Sequence, residues 1–263
     1  MYKGNIREFF QNPSFQLYET LEISGDHKRT EGPYYLTQLH VLFERLVYWH
    51  WLTDRNGKVL IEEGFLKKKE EEGVIFVLRS DVRYYKRKMK QKLDLIKQYA
   101  DDNVTRGYGL YAEDLFRRTL QIEGFKLLGT DTNSYDGKSW TKTDHDLDFI
   151  VEKDGIAYGA EVKNTLSYME RDEFEIKLEL CDYLGLVPLW ILNNAPKSQF
   201  LEMKRRGGFS LIFGTQVYPP GFRRLVKDIW EILRLPVPVN VWRTIPEKLV
   251  KIFLRQHEKR LVI

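Results

Sequence analysis

Residues 146–164 read DLDFIVEKDGIAYGAEVKN, from Asp146 to Asn164. Two short runs rich in β-branched and aromatic residues, 149–151 and 156–162, flank Asp154-Gly155, a pair that favours a two-residue type I′ turn. The spacing predicts an antiparallel hairpin in which Lys153 opposes Ile156, Asp148 opposes Glu161 and Asp146 opposes Lys163. A three-residue loop of Lys153, Asp154 and Gly155 with a bulge at Gly155 is the alternative, and it alters that register. In the two-residue register Asp148, Glu161 and Lys163 share one sheet face. Side chains two apart on a strand point the same way, and opposed Cβ atoms lie about 5 Å apart.

Like charges directly opposed on a strand pair are destabilising, so Asp148 and Glu161 call for a cation between them. A divalent ion serves: Mg²⁺ takes one or two carboxylates and fills its remaining positions with water and phosphate oxygens. Lys163 then stands beside the metal, placed to orient a water or to stabilise charge growing on a phosphate. The competing reading is a surface hairpin with a Glu/Lys stripe facing solvent.

Asp148, twelve intervening residues and then Glu161-Val162-Lys163 followed by Asn164 resemble the PD-(D/E)XK nuclease superfamily, and especially the archaeal Holliday-junction resolvases and other restriction-endonuclease-like proteins. Leu147 stands where the motif has proline. Upstream, residues 111–116 (YAEDLF) resemble the first helix of that fold. The resemblance covers about residues 107–214 and implies a mixed sheet flanked by helices with a site that binds Mg²⁺ or Mn²⁺. It implies metal ligands at Asp148, Glu161, the Val162 carbonyl and Glu113, with Lys163 activating or orienting the attacking water, and hydrolysis leaving a 5′-phosphate. Read without the family, Glu113 is an i,i+4 partner of Arg117.

At 263 residues and 43% apolar content the chain is long enough for one large domain or two modest ones. A formal charge of +4 is too small to name a partner, so local clusters must carry any nucleic-acid argument. The single Cys181 excludes an internal disulfide and an all-cysteine zinc site, which fits an intracellular, cytoplasmic protein. No apolar window is long enough to span a membrane, and residues 1–5 do not open a secretion signal.

Residues 1–30 show no clear period, though Phe9, Phe10, Phe15 and Leu17 predict an arm packed on something. From 35 to 51 the apolar residues Leu36, Leu39, Leu42, Phe43, Leu46 and Val47 recur at helical spacing. Thr53 is a plausible N-cap for a short helix over 54–63 ended by Gly64, and 65–78 reads as a hairpin turning near Gly73. This order resembles a winged-helix DNA-binding domain over residues 1–80. The resemblance implies Arg55, Asn56 and Lys58 near base edges and Lys67, Lys68 and Lys69 on a wing against phosphates. A helical protein-interaction module fits the same pattern.

Residues 81–106 read as a basic helical connector. Within 83–97 the apolar positions Tyr84, Tyr85, Met89, Leu93 and Ile96 leave Lys86, Arg87 and Lys90 on an outer face, either solvated or along a DNA backbone. Residues 101–109 suit a domain boundary. A helix over 110–123 should bury Leu115, Phe116, Thr119 and Ile122, followed by a strand at 125–128 and a polar loop over 131–145 overhanging the site. His145 beside Asp146 is a base, a ligand or merely solvated. After the hairpin, a helix over 170–183, a strand at 187–192, a helix over 198–206 and a strand at 209–213 complete the sheet. Lys177 either touches a phosphate, as the resemblance implies, or pairs with Glu173 four residues earlier.

Residues 215–263 read as a helical extension: a helix over 222–233, a stiff linker at 236–238 and a basic amphipathic helix over 247–259 that packs on the first domain, dimerises or binds DNA. The whole reads as a Mg²⁺- or Mn²⁺-dependent DNA endonuclease of repair, recombination or restriction, with a repair or recombination protein as a further partner. A homodimer is the expectation, since two symmetric sites most simply cut both strands. The rival is a catalytically inactive nuclease-fold protein that binds DNA or acts as a scaffold.

Overall fold

Asp154 and Gly155 both adopt positive φ, 54° and 75°, in the computed structural model of the chain, which is the backbone of a type I′ turn. The structure describes residues 2–11, 32–44, 50–233 and 238–261. It divides into two units, Met1–Val104 with Arg224–Pro238, and Thr105–Arg223 with Val239–Ile263.

The first unit runs α1 (Tyr2–Gln11), β1 (Tyr34–Tyr35), α2 (Leu36–Glu44), α3 (His50–Glu62), β2 (Leu66–Glu71), β3 (Val74–Arg79) and α4 (Lys86–Tyr99). Its antiparallel sheet has the order β1-β3-β2. Glu72 and Gly73 make the turn with positive φ at both positions, and Gly64 closes α3 at φ 72°. Ile6, Phe9, Leu39, Phe43, Leu60, Leu66 and Val77 form the core. Residues 2–11, which show no clear period in the sequence, are helical, with Ile6 and Phe9 buried in that core. Phe15, Leu17, Leu46 and Val47 lie outside the described residues.

Thr53 does not cap a helix. α3 starts before it, and Thr53 is a buried interior residue, because helical periodicity continues upstream through Leu52. Helix α4 begins at Lys86 and buries Met89, Leu93, Leu95 and Ile96, while Tyr84 is exposed at φ 56° outside the helix. Lys92 is buried as well, its ammonium donating to the Pro33 carbonyl at 2.8 Å.

α5 (Asp102–Ile122) runs through the stretch 101–109 that suits a domain boundary, and the division between the two units, Val104 to Thr105, falls within that stretch. The Asp101 carboxylate accepts a hydrogen bond from the Asn103 N–H at 2.9 Å and caps the helix, and Gly107 lies beside the Phe222 ring, where a Cβ would make ordinary contact. The buried stripe is Tyr108, Ala112, Phe116 and Leu120. Ile122, expected inside, is 83% exposed in the last turn, where the following chain leaves the helix.

Beyond it come β4 (Lys126–Thr132), a small hairpin of β5 (Ser134–Tyr135) and β6 (Lys138–Ser139), β7 (Leu147–Lys153), β8 (Ile156–Lys163), α6 (Arg171–Leu184), β9 (Val187–Leu192), α7 (Lys197–Arg205) and β10 (Phe209–Ile212). The sheet order is β10-β9-β8-β7-β4, antiparallel from β4 to β8 and parallel from β8 to β10. This is the expected α/β architecture, a mixed sheet flanked by helices. The region expected to overhang as a polar loop is partly structured: the hairpin shortens it, and Trp140 is buried with Leu147, Ile150 and the residues of α6.

The remaining elements are β11 (Gln216–Tyr218), a 3₁₀ turn at Pro220–Phe222, α8 (Arg223–Asp228), a π turn at Ile229–Leu233, β12 (Val239–Val241) and α9 (Glu247–Leu261). The expected single helix over 222–233 is therefore three short helical forms in succession. The linker at 236–237 lies outside the described residues. The tail does not act as one piece: Arg224–Pro238 belongs with the first unit, where Gln38 Nε2 donates to the Leu233 carbonyl, and α9 belongs with the second. There Phe253 packs on Phe125 and Tyr158.

On one sheet face Ala112, Phe116 and Leu120 meet Phe149, Val151 and Ala160; on the other, Phe174, Leu178 and Cys181 meet Ile150, Trp190 and Leu192. Gly159 is required by close approach. A Cβ there would stand 2.7 Å from Leu147 Cδ1 and 2.8 Å from Cys181 Sγ.

Candidate functional site

The β7–β8 ladder runs from Lys153↔Ile156 to Phe149↔Ala160, the register of the two-residue turn. One step further the pattern changes. Asp148 Oδ2 accepts a hydrogen bond from the Val162 backbone N–H at 2.6 Å, so a side chain takes over where the backbone ladder ends. Glu161 is 1% exposed and does not face Asp148 as an unpaired charge. Its Oε2 accepts from Lys177 Nζ at 2.5 Å and its Oε1 lies 3.1 Å from Lys163 Nζ. Lys163 also reaches Glu173 Oε1 at 2.8 Å, and Lys177 lies 3.9 Å from the same oxygen.

Elements of both sheet faces build this cluster. β7 and β8 supply Asp148, Glu161 and Lys163, while α6 supplies Glu173 and Lys177 one turn apart on its sheet-facing side. Glu113 approaches from α5. Burial raises its carboxyl above the ordinary range, the charges of Glu161 and Asp131 add to this, and Lys163 and Lys177 oppose it. Arg117 is not its partner; Asp114 accepts from Arg117 at 2.6 Å and also pairs with Arg118.

Asp148 is pushed well above the usual carboxylate range, first by burial and then by the charges of Glu161 and Glu113, against which Lys177 and the Val162 hydrogen bond act. For Lys163, burial lowers the pKa, but Glu161 and Glu173 outweigh it and hold the ammonium above lysine's ordinary value. Lys163 therefore offers a fixed positive charge and hydrogen-bond donors at neutral pH rather than a free base.

No protein-family model matches the chain, and no curated protein matches it. The site is therefore read on its own geometry. Among the described residues no group of three or more His, Cys, Asp or Glu side chains is disposed to hold a metal ion, and two ammonium groups take the Glu161 oxygens. The donor types suit a hard divalent ion: three carboxylates and a peptide carbonyl are all oxygen. His145 is not among them; its Nδ1 meets Thr143 Oγ1 at 3.1 Å.

Lys177 and Glu173 are the members hardest to assign from sequence. A signal exists, since Lys177 lies on the stripe of α6 that contains Phe174 and Cys181, where a lysine is out of place unless it meets an acid. Asn164, the last residue of the motif, is structural. Its Nδ2 donates to the Tyr108 and Val217 carbonyls at 3.0 and 2.6 Å, and its Oδ1 accepts from the Val217 N–H at 2.8 Å.

In the first unit Arg55, Lys58, Lys69, Lys86, Arg87 and Lys90 are exposed. Asn56 is half-buried, its amide donating to the Leu52 carbonyl at 2.7 Å. Lys67, Lys68 and Lys69 do not form one patch, because alternation along β2 sends Lys68 to the opposite face. Lys67 is tied to the Ser80 and Val82 carbonyls at 3.0 and 2.8 Å and sits over the Tyr85 ring, while Lys68 lies 3.6 Å from Glu70.

No helix among the described residues is long and apolar enough to cross a membrane.

Proposed function

We propose that the chain is a Mg²⁺- or Mn²⁺-dependent DNA endonuclease, with a restriction-endonuclease-like second unit that cuts and a winged-helix first unit that binds DNA. The observation that carries the reading is the buried Glu161 on β8 with Asp148 on the neighbouring strand β7, the carboxyl of Asp148 raised by burial and by the charges of Glu161 and Glu113, and that of Glu113 raised by burial and by Glu161 and Asp131. Lys163 and Lys177 compensate Glu161, while the carboxyls of Asp148 and Glu113 remain disfavoured as anions, a balance that a divalent cation would change.

Asp148, Glu161, Glu113 and the Val162 carbonyl would hold the ion. The Val162 N–H fixes the Asp148 carboxylate and leaves its other oxygen free to coordinate. Lys163, held protonated, orients the attacking water and stabilises negative charge on the phosphate. A bound divalent ion supplies Lewis-acid polarisation of the phosphate and of the water. Hydrolysis leaves a 5′-phosphate.

The order α1-β1-α2-α3-β2-β3, with β1 against β3, supports the winged-helix reading, and Arg55, Lys58, Lys68 and Lys69 are exposed cations that would meet DNA. Lys86, Arg87 and Lys90 would extend that contact along the backbone. A role in repair, recombination or restriction inside the cell, in the cytoplasm and as a homodimer, belongs to the same proposal.

One observation favours a second reading, a nuclease-fold protein that binds DNA without cutting it: both Glu161 oxygens are neutralised by lysines. Branched, single-stranded and duplex DNA incubated with Mg²⁺, Mn²⁺ or chelator separates the two. Metal-dependent cutting of any form supports the enzyme; binding without cutting at every metal concentration supports the scaffold.

A further inference from the structure

Glu161 is nearly inaccessible, and each of its carboxylate oxygens is held by a different ammonium group. The two lysines are not equivalent. Lys163 keeps 29% of its side chain exposed and has a second anchor in Glu173 at 2.8 Å, so it stays bound to the cluster even if Glu161 lets go. Lys177 is 7% exposed and makes its short contact, 2.5 Å, with Glu161 alone. The Lys177 charge also acts on Asp148. A buried ammonium thus stands on one oxygen of Glu161, the acid that would share a divalent cation with Asp148.

We infer that Lys177 is the resident cation of this site, occupying the position on Glu161 that a divalent ion takes and leaving it when metal binds. The inference rests on the proposed metal-dependent reading. A dication and an ammonium cannot both sit on Glu161 Oε2 without strong repulsion in a poorly hydrated place. The departing ammonium has somewhere to go: Glu173 is one turn earlier on the same helix, and its Oε1 is already 3.9 Å from Lys177 Nζ. Lys177 then sets a threshold: it keeps the buried Glu161 compensated when metal is scarce, and metal must outcompete it.

The test is Mn²⁺ binding to the full chain, followed by electron paramagnetic resonance, for wild type, Lys177→Met, Lys177→Gln and Lys177→Arg. Removing the charge should tighten Mn²⁺ binding about tenfold or more, while Lys177→Arg, which keeps the charge, should bind like wild type. Lys177→Gln retains a hydrogen-bond donor for Glu161 and serves if Lys177→Met does not fold. Tight binding by Lys177→Gln where wild type binds none also supports the inference. Equal or weaker binding by the uncharged variants, with wild type binding normally, overturns it and leaves the metal-dependent reading in place. Absence of Mn²⁺ binding in all four proteins overturns both.

Discussion

Asp148 on β7 caps the Val162 N–H of β8 through its carboxylate at 2.6 Å, so the two acids of the hairpin have opposite circumstances. Asp148 is a carboxyl whose ionised form is disfavoured, whereas Glu161 is a carboxylate compensated on both oxygens.

Asp148→Asn should therefore stabilise the metal-free protein. An acid whose pKa is raised on folding contributes stability below its ordinary pKa and loses it as pH rises through the raised value, so the penalty is present at pH 8 and absent at pH 4. The amide oxygen still accepts from Val162. In chelator at pH 8 the expected gain is on the order of 1 kcal/mol, or roughly 2–4 °C in melting temperature, vanishing near pH 4. A variant less stable than wild type at pH 8 would contradict this account of the carboxyl.

Glu161→Gln should do the reverse. It leaves the buried Lys177 with Glu173 alone, 3.9 Å away, so stability should fall by an amount approaching the roughly 3 kcal/mol that breaking a buried pair costs. Lys177→Met in the Glu161→Gln background should recover part of that loss, a coupling that a double-mutant cycle in urea measures. Additive single effects would mean that the 2.5 Å contact carries no stability.

Gly159→Ala should cost about 2 kcal/mol, because the new methyl would meet Leu147 and Cys181 at distances no Cβ tolerates. Chemical denaturation reads this directly, and a neutral effect would show that α6 is not seated on β8 as described.

DNA binding should separate the lysines of the first unit. Lys58→Ala with Lys69→Ala should weaken binding and flatten the logarithmic salt dependence by about 0.9 per phosphate no longer neutralised. Lys67→Ala should leave that slope unchanged and lower stability instead, since its ammonium is engaged by the Ser80 and Val82 carbonyls. Fluorescence anisotropy between low and moderate salt distinguishes the two outcomes.

The hairpin is legible in the sequence because its information is local: Asp154-Gly155 fixes the turn, and period-two alternation then places Glu161 and Lys163 together. The helix α6, the strand β9 and the mixed sheet follow from equally plain patterns. What escapes such reading is decided by partners distant in sequence. Lys177 sits four residues after Glu173, so the helical pair is the visible choice, and only the fold brings Glu161 closer. Helix α5 hides its first turns behind two glycines and polar residues, a composition shared with linkers, and Tyr108 there is buried by partners that only the fold brings near. Asn164 looks like the end of a motif, yet its hydrogen bonds run to Tyr108 and Val217.

The most direct measurement is metal-dependent cleavage by wild type and Asp148→Asn prepared side by side, on branched, single-stranded and duplex DNA with Mn²⁺. The account predicts cutting by wild type that chelator abolishes, products ending in 5′-phosphate, and no cutting by a variant that is folded and binds the same DNA. Wild type that cuts no DNA form at any metal concentration, or a variant that cuts as well as wild type, would contradict it.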